Sequence, residues 1–481
     1  MQIGVTFRIL GALLLFFSAT MLPPIAVSML YQDGAYEVFV KSMVTIFLSG
    51  ATLWFVFRNY QKELKIRDGF LITVLCYLAL GCFSALPFYD AALLDLTLAD
   101  AFFESFSGLT TTGGTVIVGL DQLPASLLYY RQQLQWLGGM GIIVLAVAIL
   151  PMLGIGGMQL YRAETPGPIK DSKLTPRIKQ TAIALWSIYV SLTVMCALAY
   201  WIAGMTLFDA ICHSFSTIAI GGFSTHDASI GYFNSAAIEA VAVVFMLISG
   251  LNYALHFFTV RDHSIRHYFQ DEEARFYLAI IVIAILITAI VLATTLTSGE
   301  TAVRQAVFQV VSIFTTTGFA TTQFSEWPSI LPYLLILGAF AGACAGSTGG
   351  GLKIIRVLLI YKQGLREIYR LIHPNAIFPI KVSGRKMTDN VIDAVWGFFS
   401  IYILLFIVLL LGLIATGLDF VTAFSAVGSA LNNLGPGLGA VAENYAEISS
   451  TAKFLLCLGM VLGRLEIFTI LVLFTTMFWR K

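Results

Sequence analysis

Apolar runs long enough to cross a lipid bilayer recur along the whole chain, and they limit the folds open to it. A membrane-spanning helix needs about 20 apolar residues. Seven such runs cover residues 9–29, 71–87, 142–158, 185–202, 278–296, 395–413 and 454–478. Of the 481 residues, 58% are hydrophobic and only 11% are charged, which excludes a soluble globular protein. With interrupted runs included, we expect about ten crossings, all of them helical, because lipid offers the backbone no hydrogen-bond partner.

The charges alternate between the connecting segments. Basic residues concentrate in residues 58–67, 162–179, 261–275 and 356–386 and at the C-terminus. The segments between them are acidic and include Asp121, Asp227 and Glu443. Because cytoplasmic loops of membrane proteins are rich in lysine and arginine, we expect the basic segments and both termini to be cytoplasmic. The acidic outer face would attract cations.

Four segments, residues 100–114, 209–223, 307–319 and 419–436, repeat one pattern. Each has a short apolar run, too short to span a bilayer, followed by a loop with glycine. A serine precedes one loop glycine by six residues in every case, in the pairs Ser107–Gly113, Ser216–Gly222, Ser312–Gly318 and Ser429–Gly435. Longer apolar runs flank each segment. The pattern predicts four units of helix, short re-entrant helix, loop and helix.

The predicted fold class is therefore an all-α polytopic membrane protein, with four pseudo-symmetric units around a central pore and an N-terminal two-helix hairpin. The predicted domains are the hairpin (1–67) and pore repeats 1 to 4 (68–160, 180–262, 274–362 and 387–481). Rings of backbone carbonyls replace the water around a cation, and glycine reaches the backbone conformations that such loops need. We therefore expect the loops of Gly113, Gly222, Gly318 and Gly435 to bind a cation in the pore. The alternative is that these glycines only let helices pack closely. Close packing accounts well for Gly138 and Gly139 but not for the same serine-to-glycine interval at four places.

Two further features lie outside the four loops. Residues 341–351 contain five glycines, which disfavour a continuous helix, and they lack the lysine spacing of a phosphate-binding loop. We expect this segment to cross the cavity below the four glycine loops and to act as a gate for the ion. The alternative is that it is only a kink that helps helices to pack. Arg464 lies in an apolar stretch and should face water or a partner, the alternative being a side chain that extends to the membrane interface. Glu466 is poorly placed on a helix to be that partner.

These motifs resemble the TrkH/TrkG and KtrB superfamily of potassium transporters, and within it the TrkH branch, over essentially the whole chain. The resemblance rests on Thr-Thr-Thr-Gly-Gly ending at Gly114, Ile-Gly-Gly-Phe ending at Phe223, Thr-Thr-Thr-Gly-Phe ending at Phe319, Asn-Asn-Leu-Gly-Pro-Gly ending at Gly437 and the glycine-rich segment. It implies K⁺ uptake through a channel-like pore in the bacterial inner membrane. It also implies a homodimer in membrane lipid and a cytosolic nucleotide-binding subunit of TrkA type that regulates it.

The resemblance places the selectivity filter and the gate on particular residues. The predicted filter residues are Thr111, Thr112, Gly113, Ile220, Gly221, Gly222, Thr316, Thr317, Gly318, Asn433, Leu434 and Gly435. The predicted K⁺ ligands are all of these except the four glycines at positions 113, 222, 318 and 435. The predicted gate residues are Gly346, Ser347, Thr348, Gly349, Gly350, Gly351 and Arg464.

Two other classes of function are open to a chain of this composition. An ion-coupled secondary transporter, a symporter with H⁺ or Na⁺, would show inverted repeats, whereas these units run in one direction. A membrane enzyme would need a catalytic motif, and the six histidines are dispersed. We therefore expect no enzymatic activity, no organic cofactor and no nucleic-acid partner, with K⁺ as the transported ion. The residues leave open whether transport is coupled to a second ion.

Overall fold

The computed structural model describes residues 2–60, 66–91, 94–144, 178–296, 299–328 and 330–480. Within these residues the chain is built of helices and one two-stranded hairpin, which confirms the predicted fold class. The N-terminal helices are α1 (Ile3–Ala19), α2 (Leu22–Tyr31) and α3 (Tyr36–Phe57). The next helices are α4 (Ile66–Ser84), α5 (Leu86–Asp90), α6 (Leu98–Leu109), α7 (Ala125–Val144), α8 (Ile178–Ile202), α9 (Leu207–Ala219), α10 (Ala236–Ser249), α11 (Tyr253–Asp262) and α12 (Arg266–Gln270).

The second half of the chain continues the same alternation of long and short helices. Its elements are α13 (Glu272–Thr295), α14 (Gly299–Phe314), α15 (Leu331–Ala341), α16 (Ile354–Ile372), β1 (Lys381–Val382), β2 (Arg385–Lys386), α17 (Asp389–Ala415), α18 (Phe420–Asn432), α19 (Ser450–Arg464), α20 (Ile467–Leu471) and α21 (Thr476–Trp479). The predicted break after the third loop separates α15 from α16. The predicted run 142–158 and basic segment 162–179 lie almost wholly outside the described residues.

Six helical segments of the described residues are long and apolar enough to cross a membrane, and two bent helix pairs raise this number to eight. The expected number was about ten. Part of the difference comes from α7, which carries four consecutive or near-consecutive polar residues, among them Arg131 and Gln135, on an otherwise apolar helix. Another part comes from α15 and α16, because the glycine-rich segment divides what would be one crossing.

The prediction of one continuous crossing over residues 454–478 is wrong. Helix α19 ends at Arg464, and the chain bends by 109° before α20 and the residues that follow. Glu466 adopts the left-handed region at φ 55°, where a non-glycine residue interrupts a helix. Its carboxylate pairs with Arg356 of α16 at 2.6 Å. An ion pair with a residue 110 positions away therefore accompanies a bend that apolar periodicity does not reveal.

The four repeats close into a ring. Each short helix packs against the helix that follows the loop of the preceding repeat: α9 against α7, α14 against α10, α18 against α15, and α6 against α19. The last of these contacts joins repeat 4 back to repeat 1. The N-terminal hairpin packs outside this ring, with α1 against α4 and α2 against α7. The ring places the ends of the four short helices around one axis.

Part of the basic segment 356–386 has partners within the chain. Arg356 and Arg366 are buried, and they pair with Glu466 and Asp389 respectively. Lys362 pairs with Glu272 at the start of α13. These ion pairs fasten α16 to repeats 3 and 4.

Candidate ion pore

Three of the short helices, α6, α9 and α18, begin with a capping residue that fixes where the helix starts. Thr97 accepts a hydrogen bond from the backbone N–H of Asp100, and Thr206 does the same for Asp209. Asp419 caps α18 through the N–H of Thr422. An oxygen at this position satisfies an N–H that has no partner within the helix. In these three helices the cap therefore sets the register that brings the opposite, C-terminal end to its loop.

The loops at those ends share one backbone conformation. We call residues 110–114, 220–223, 315–319 and 433–436 loops 1 to 4. Each contains a left-handed residue two positions before its glycine, at Thr111, Ile220, Thr316 and Asn433 with φ from 52° to 66°. The glycines themselves, Gly113, Gly222, Gly318 and Gly435, are also left-handed, with φ from 79° to 99°. None of the first four residues is a glycine, and three of them are β-branched, so the left-handed conformation is unfavourable for them. Their conformation therefore indicates a backbone that is constrained by its surroundings.

The repeated serine ties each loop to its own helix. The serine carbonyl accepts an N–H from the residue five positions on, at 2.8 Å in loops 1 to 3 and 2.9 Å in loop 4. Its hydroxyl donates to a carbonyl at or just after the glycine, at 2.5 to 2.8 Å. The four serines are Ser107, Ser216, Ser312 and Ser429. The six-residue interval seen in the sequence is thus the span of a two-bond tether.

The glycines contact one another's loops in cyclic order. A Cβ added to Gly113 would lie less than 3.0 Å from the carbonyl oxygen of Gly221, and one added to Gly222 would lie equally close to that of Thr317. The same holds for Gly318 and the oxygen of Leu434. Gly435 closes the ring against the oxygen of Thr112. Each glycine therefore lacks a side chain for two reasons, its positive φ and its contact with the next loop.

The threonine and asparagine side chains beside the glycines connect within and between loops. In loop 1 the hydroxyls of Thr110 and Thr112 lie 2.8 Å apart, and the equivalent pair in loop 3 lies 2.7 Å apart. Asn433 donates from Nδ2 to Thr112 Oγ1 at 3.0 Å, which joins loop 4 to loop 1. The twelve predicted filter residues, which include all the predicted K⁺ ligands, thus lie in the four loops that close the ring.

The sequence analysis missed a buried ion pair behind loops 1 and 2. Arg131 of α7 and Glu104 of α6 are 1% and 0% exposed, with Nε and Oε1 2.7 Å apart. Arg131 also donates to the carbonyl of Ser224 at 3.0 Å, and Glu104 accepts the N–H of Val116. A buried ion pair with its remaining positions hydrogen-bonded avoids the cost of an uncompensated charge. An arginine within a polar stretch of a membrane helix was the signal that could have revealed it.

The glycine-rich segment, residues 342–351, is anchored at its start to the bend between α10 and α11. Cys344 donates its N–H to the carbonyl of Gly250 at 2.9 Å, and Tyr253 donates its N–H to that of Gly346 at 3.0 Å. The N–H of Ala345 reaches the buried carboxylate of Glu273 at 2.6 Å. The 93° bend of repeat 2 thereby supplies backbone groups that a straight helix would have used internally.

The second half of this segment lies against the inner ends of three short helices. Gly350 donates its N–H to Thr316 Oγ1 at 2.7 Å, and Thr348 donates its hydroxyl to the carbonyl of Ile218 at 2.9 Å. A Cβ on Gly350 would overlap the carbonyl of Asn432. The segment therefore touches the C-terminal ends of α9, α14 and α18, immediately next to loops 2, 3 and 4.

Arg464 is buried against the same segment, with 4% of the residue exposed. Its Nη1 donates to the carbonyl of Thr348 at 2.9 Å, and its Nη2 donates to that of Gly138 in α7 at 3.3 Å. A cavity of about 40 Å³ adjoins these contacts, and Lys353, Arg356 and Glu466 line it with Arg464. The sequence indicated that Glu466 is a poor partner for Arg464, and in the structure Glu466 pairs with Arg356 instead.

Comparison with known proteins gives one family. The sequence model of the family described as "TrkH: Cation transport protein" matches residues 35–481. The Trk system potassium uptake protein TrkH of Halomonas elongata is 57% identical, and the match covers 100% of both chains. The protein of that name from Escherichia coli K12 is 55% identical over 98% of this chain and 99% of its own. The crystal structure of the potassium transporter TrkH from Vibrio parahaemolyticus superposes with a TM-score of 0.93, at 55% identity and 100% coverage of each chain.

Proposed function

Because the chain belongs to the TrkH family of cation transport proteins, we propose that it takes up K⁺ across a membrane through the pore enclosed by loops 1 to 4. The named relatives are potassium uptake proteins and not enzymes. The observation that carries the proposal is the closed ring, in which each loop glycine meets the carbonyl of the next loop. Four loops arranged in this way enclose an axis, and their repeats run in one direction, which does not favour an inverted-repeat transporter.

The filter would bind K⁺ through backbone oxygens. Left-handed residues stand at every second position of each loop, as Thr111 and Gly113 do in loop 1. In the proposed filter the carbonyls of these loops turn toward the axis and replace the water around the ion. The proposed ligands are the carbonyls of Thr111, Thr112, Ile220, Gly221, Thr316, Thr317, Asn433 and Leu434. The four short helices end at these loops, and the partial negative charge of a helix C-terminus stabilises a cation nearby. Neutral oxygens bind K⁺ tightly enough to replace water and weakly enough to release it.

Replacement of a ring glycine by serine tests the filter. We expect Gly222→Ser and Gly318→Ser to lower the K⁺/Na⁺ permeability ratio of protein reconstituted in liposomes, because each adds both backbone strain and a clash with the next loop. Gly204→Ser is the matched control, since Gly204 is also left-handed, at φ 110°, but an added Cβ there meets no atom within 4 Å. If both ring variants keep the wild-type K⁺/Na⁺ permeability ratio, these loops do not form the selectivity filter.

We also propose that residues 346–351 and Arg464 form a gate on the inner side of the filter. Thr348 donates one hydrogen bond to the end of α9, Gly350 donates one to loop 3, and Arg464 donates one to the carbonyl of Thr348. A segment whose inner half is attached by such single bonds can exchange one position for another. An element of this kind suits a regulator that favours one of two positions. Deletion of residues 346–350 should raise K⁺ flux per folded molecule in the absence of any partner. If the segment only packs helices, flux will instead fall together with the yield of folded protein.

The remaining proposals concern location and partners. We propose a multi-pass inner-membrane protein with both termini cytoplasmic, a homodimer, and a regulatory subunit of TrkA type that binds the basic segments. Segment 162–177 lies outside the described residues, and in segment 356–386 the side chains of Arg370, Lys381 and Lys386 are more exposed than the buried Arg356 and Arg366. Neutralising the three exposed residues should weaken capture of the regulatory subunit in a pull-down. Neutralising the outer Lys41 is the control, and equal capture by both variants would place the docking site elsewhere.

A further inference from the structure

Loop 2 differs from the other loops because a glycine, Gly221, directly precedes its ring glycine, Gly222. Gly221 takes the place held by Thr112 in loop 1 and Thr317 in loop 3, where a hydroxyl pair stiffens the loop. Glycine loses more conformational freedom on ordering than any other residue. Because neither Gly221 nor Gly222 has a side chain that could hold the loop, this pair would be the least constrained part of the ring without a contact from elsewhere.

Gln135 of α7 supplies the missing constraint from outside the loop. Its Nε2 donates to the carbonyl of Gly221 at 2.6 Å, and its Oε1 accepts the N–H of Phe223 at 3.1 Å. The hydroxyl of Ser216 also contacts Oε1. Because a backbone N–H only donates and a carbonyl only accepts, these two partners fix which end of the amide faces which group. The side chain spans loop 2 on both sides of Gly222.

The space around Gly221 points to the same pairing. A Cβ on Gly221 would lie less than 3.0 Å from Cδ, Oε1 and Nε2 of Gln135. The φ of Gly221 is outside the left-handed region, so its backbone conformation alone accepts a side chain. The amide of Gln135 thus occupies the volume that the threonine side chain fills in loops 1 and 3.

We propose that Gln135 is the positioning residue of loop 2 and thereby a determinant of K⁺ over Na⁺ selectivity, an inference that rests on the proposed filter. The carbonyl of Gly221 has two lone pairs, so it can accept the amide N–H and still face an ion. Its oxygen also meets Gly113 of loop 1 in the ring. Rotation of the Gly221–Gly222 peptide would withdraw one of four equivalent oxygens, and the hydrogen bond from Gln135 opposes that rotation.

The first test compares two glutamines of one helix. Gln135→Met keeps the length of the side chain and removes the amide, and Gln133→Met does the same to a glutamine whose Nε2 also donates at 2.6 Å, but to Thr20 in the N-terminal hairpin. We expect Gln135→Met to lower the K⁺/Na⁺ permeability ratio about tenfold, the equivalent of one hydrogen bond, and Gln133→Met to leave it unchanged. Equal ratios in the two variants would overturn the inference.

The second test exploits the overlap of Gly221 with Gln135. Gly221→Ala alone should lose most K⁺ flux per folded molecule, and the double variant Gly221→Ala, Gln135→Ala should recover flux because the collision is gone. No recovery in the double variant would mean that Gln135 does not set the space at Gly221. Gly222→Ser separates this inference from the filter proposal: if Gly222→Ser loses selectivity and Gln135→Met keeps it, only the role of Gln135 fails, and if both keep it, the filter itself fails.

Discussion

Replacement of Arg464 by methionine should open the pore in the absence of a regulatory partner. The guanidinium holds the glycine-rich segment through the bond from Nη1 to the carbonyl of Thr348 at 2.9 Å. The longer bond from Nη2 reaches Gly138, which is outside the segment, so we count only the first. Methionine retains the apolar stem of the side chain and its packing, and it removes the charge and the donors.

The size of the effect follows from that one bond. A hydrogen bond from a charged donor contributes about 1.5–3 kcal/mol, and each 1.4 kcal/mol changes a two-state equilibrium about tenfold. If the bond exists only while the segment lies under the filter, its loss shifts the equilibrium toward the open position by about ten- to hundredfold. Removal of the positive charge beside the pore lowers the barrier to K⁺ in the same direction.

The assay is K⁺ flux per folded molecule in liposomes that contain the transporter alone. Arg366→Met is the control, because Arg366 is also a buried arginine, but it pairs with Asp389 away from the loops. Arg464→Lys separates the two contributions, since lysine keeps the charge and loses the planar donor pair. Flux per molecule that is unchanged in Arg464→Met, or that falls by the same factor as in Arg366→Met, would refute the gating role of Arg464.

Three further predictions concern the filter tether, the outer loops and the topology. Ser312→Ala removes the bond to the carbonyl of Phe319 and should lower the free energy of unfolding by about 0.5–1.5 kcal/mol and reduce K⁺ selectivity, measured by thermal denaturation and liposome flux; an unchanged ratio would exclude the tether from selectivity. Burial alone lowers the pKa of His226, but its contacts with the carboxylates of Asp209 and Asp121 outweigh this and raise the pKa above its ordinary 6.5. The stabilisation is therefore complete below pH 6.5 and lost as the pH rises through the raised value, so thermal stability should fall over that range in the wild type and less in His226→Gln; parallel profiles would contradict this. Cysteine introduced at Asp227 should react with an impermeant reagent added outside sealed cells, and cysteine at Lys381 should not; the reverse would invert the topology.

Much of the conformation of the four loops could be predicted from the sequence because its determinants are local. The tether joins a serine to groups five to seven residues later, so it repeats as a fixed interval. The break between α15 and α16 coincides with five glycines in residues 342–351. The run 454–478, in contrast, gave a wrong prediction, because its bend involves Glu466 and a distant arginine and leaves the apolar composition unchanged.

The sequence by itself determined a helical membrane protein with four glycine loops, since bilayer thickness, backbone hydrogen bonding and short-range glycine conformation all act on neighbouring residues. Only the tertiary structure decided the cyclic order of the loops and the side chains that hold them. Gln135 reaches Gly221 from 86 residues away, and Arg464 reaches Thr348 from 116. Such contacts depend on which helices pack together, and packing in lipid is set by the fit of whole surfaces, which no local pattern of residues records.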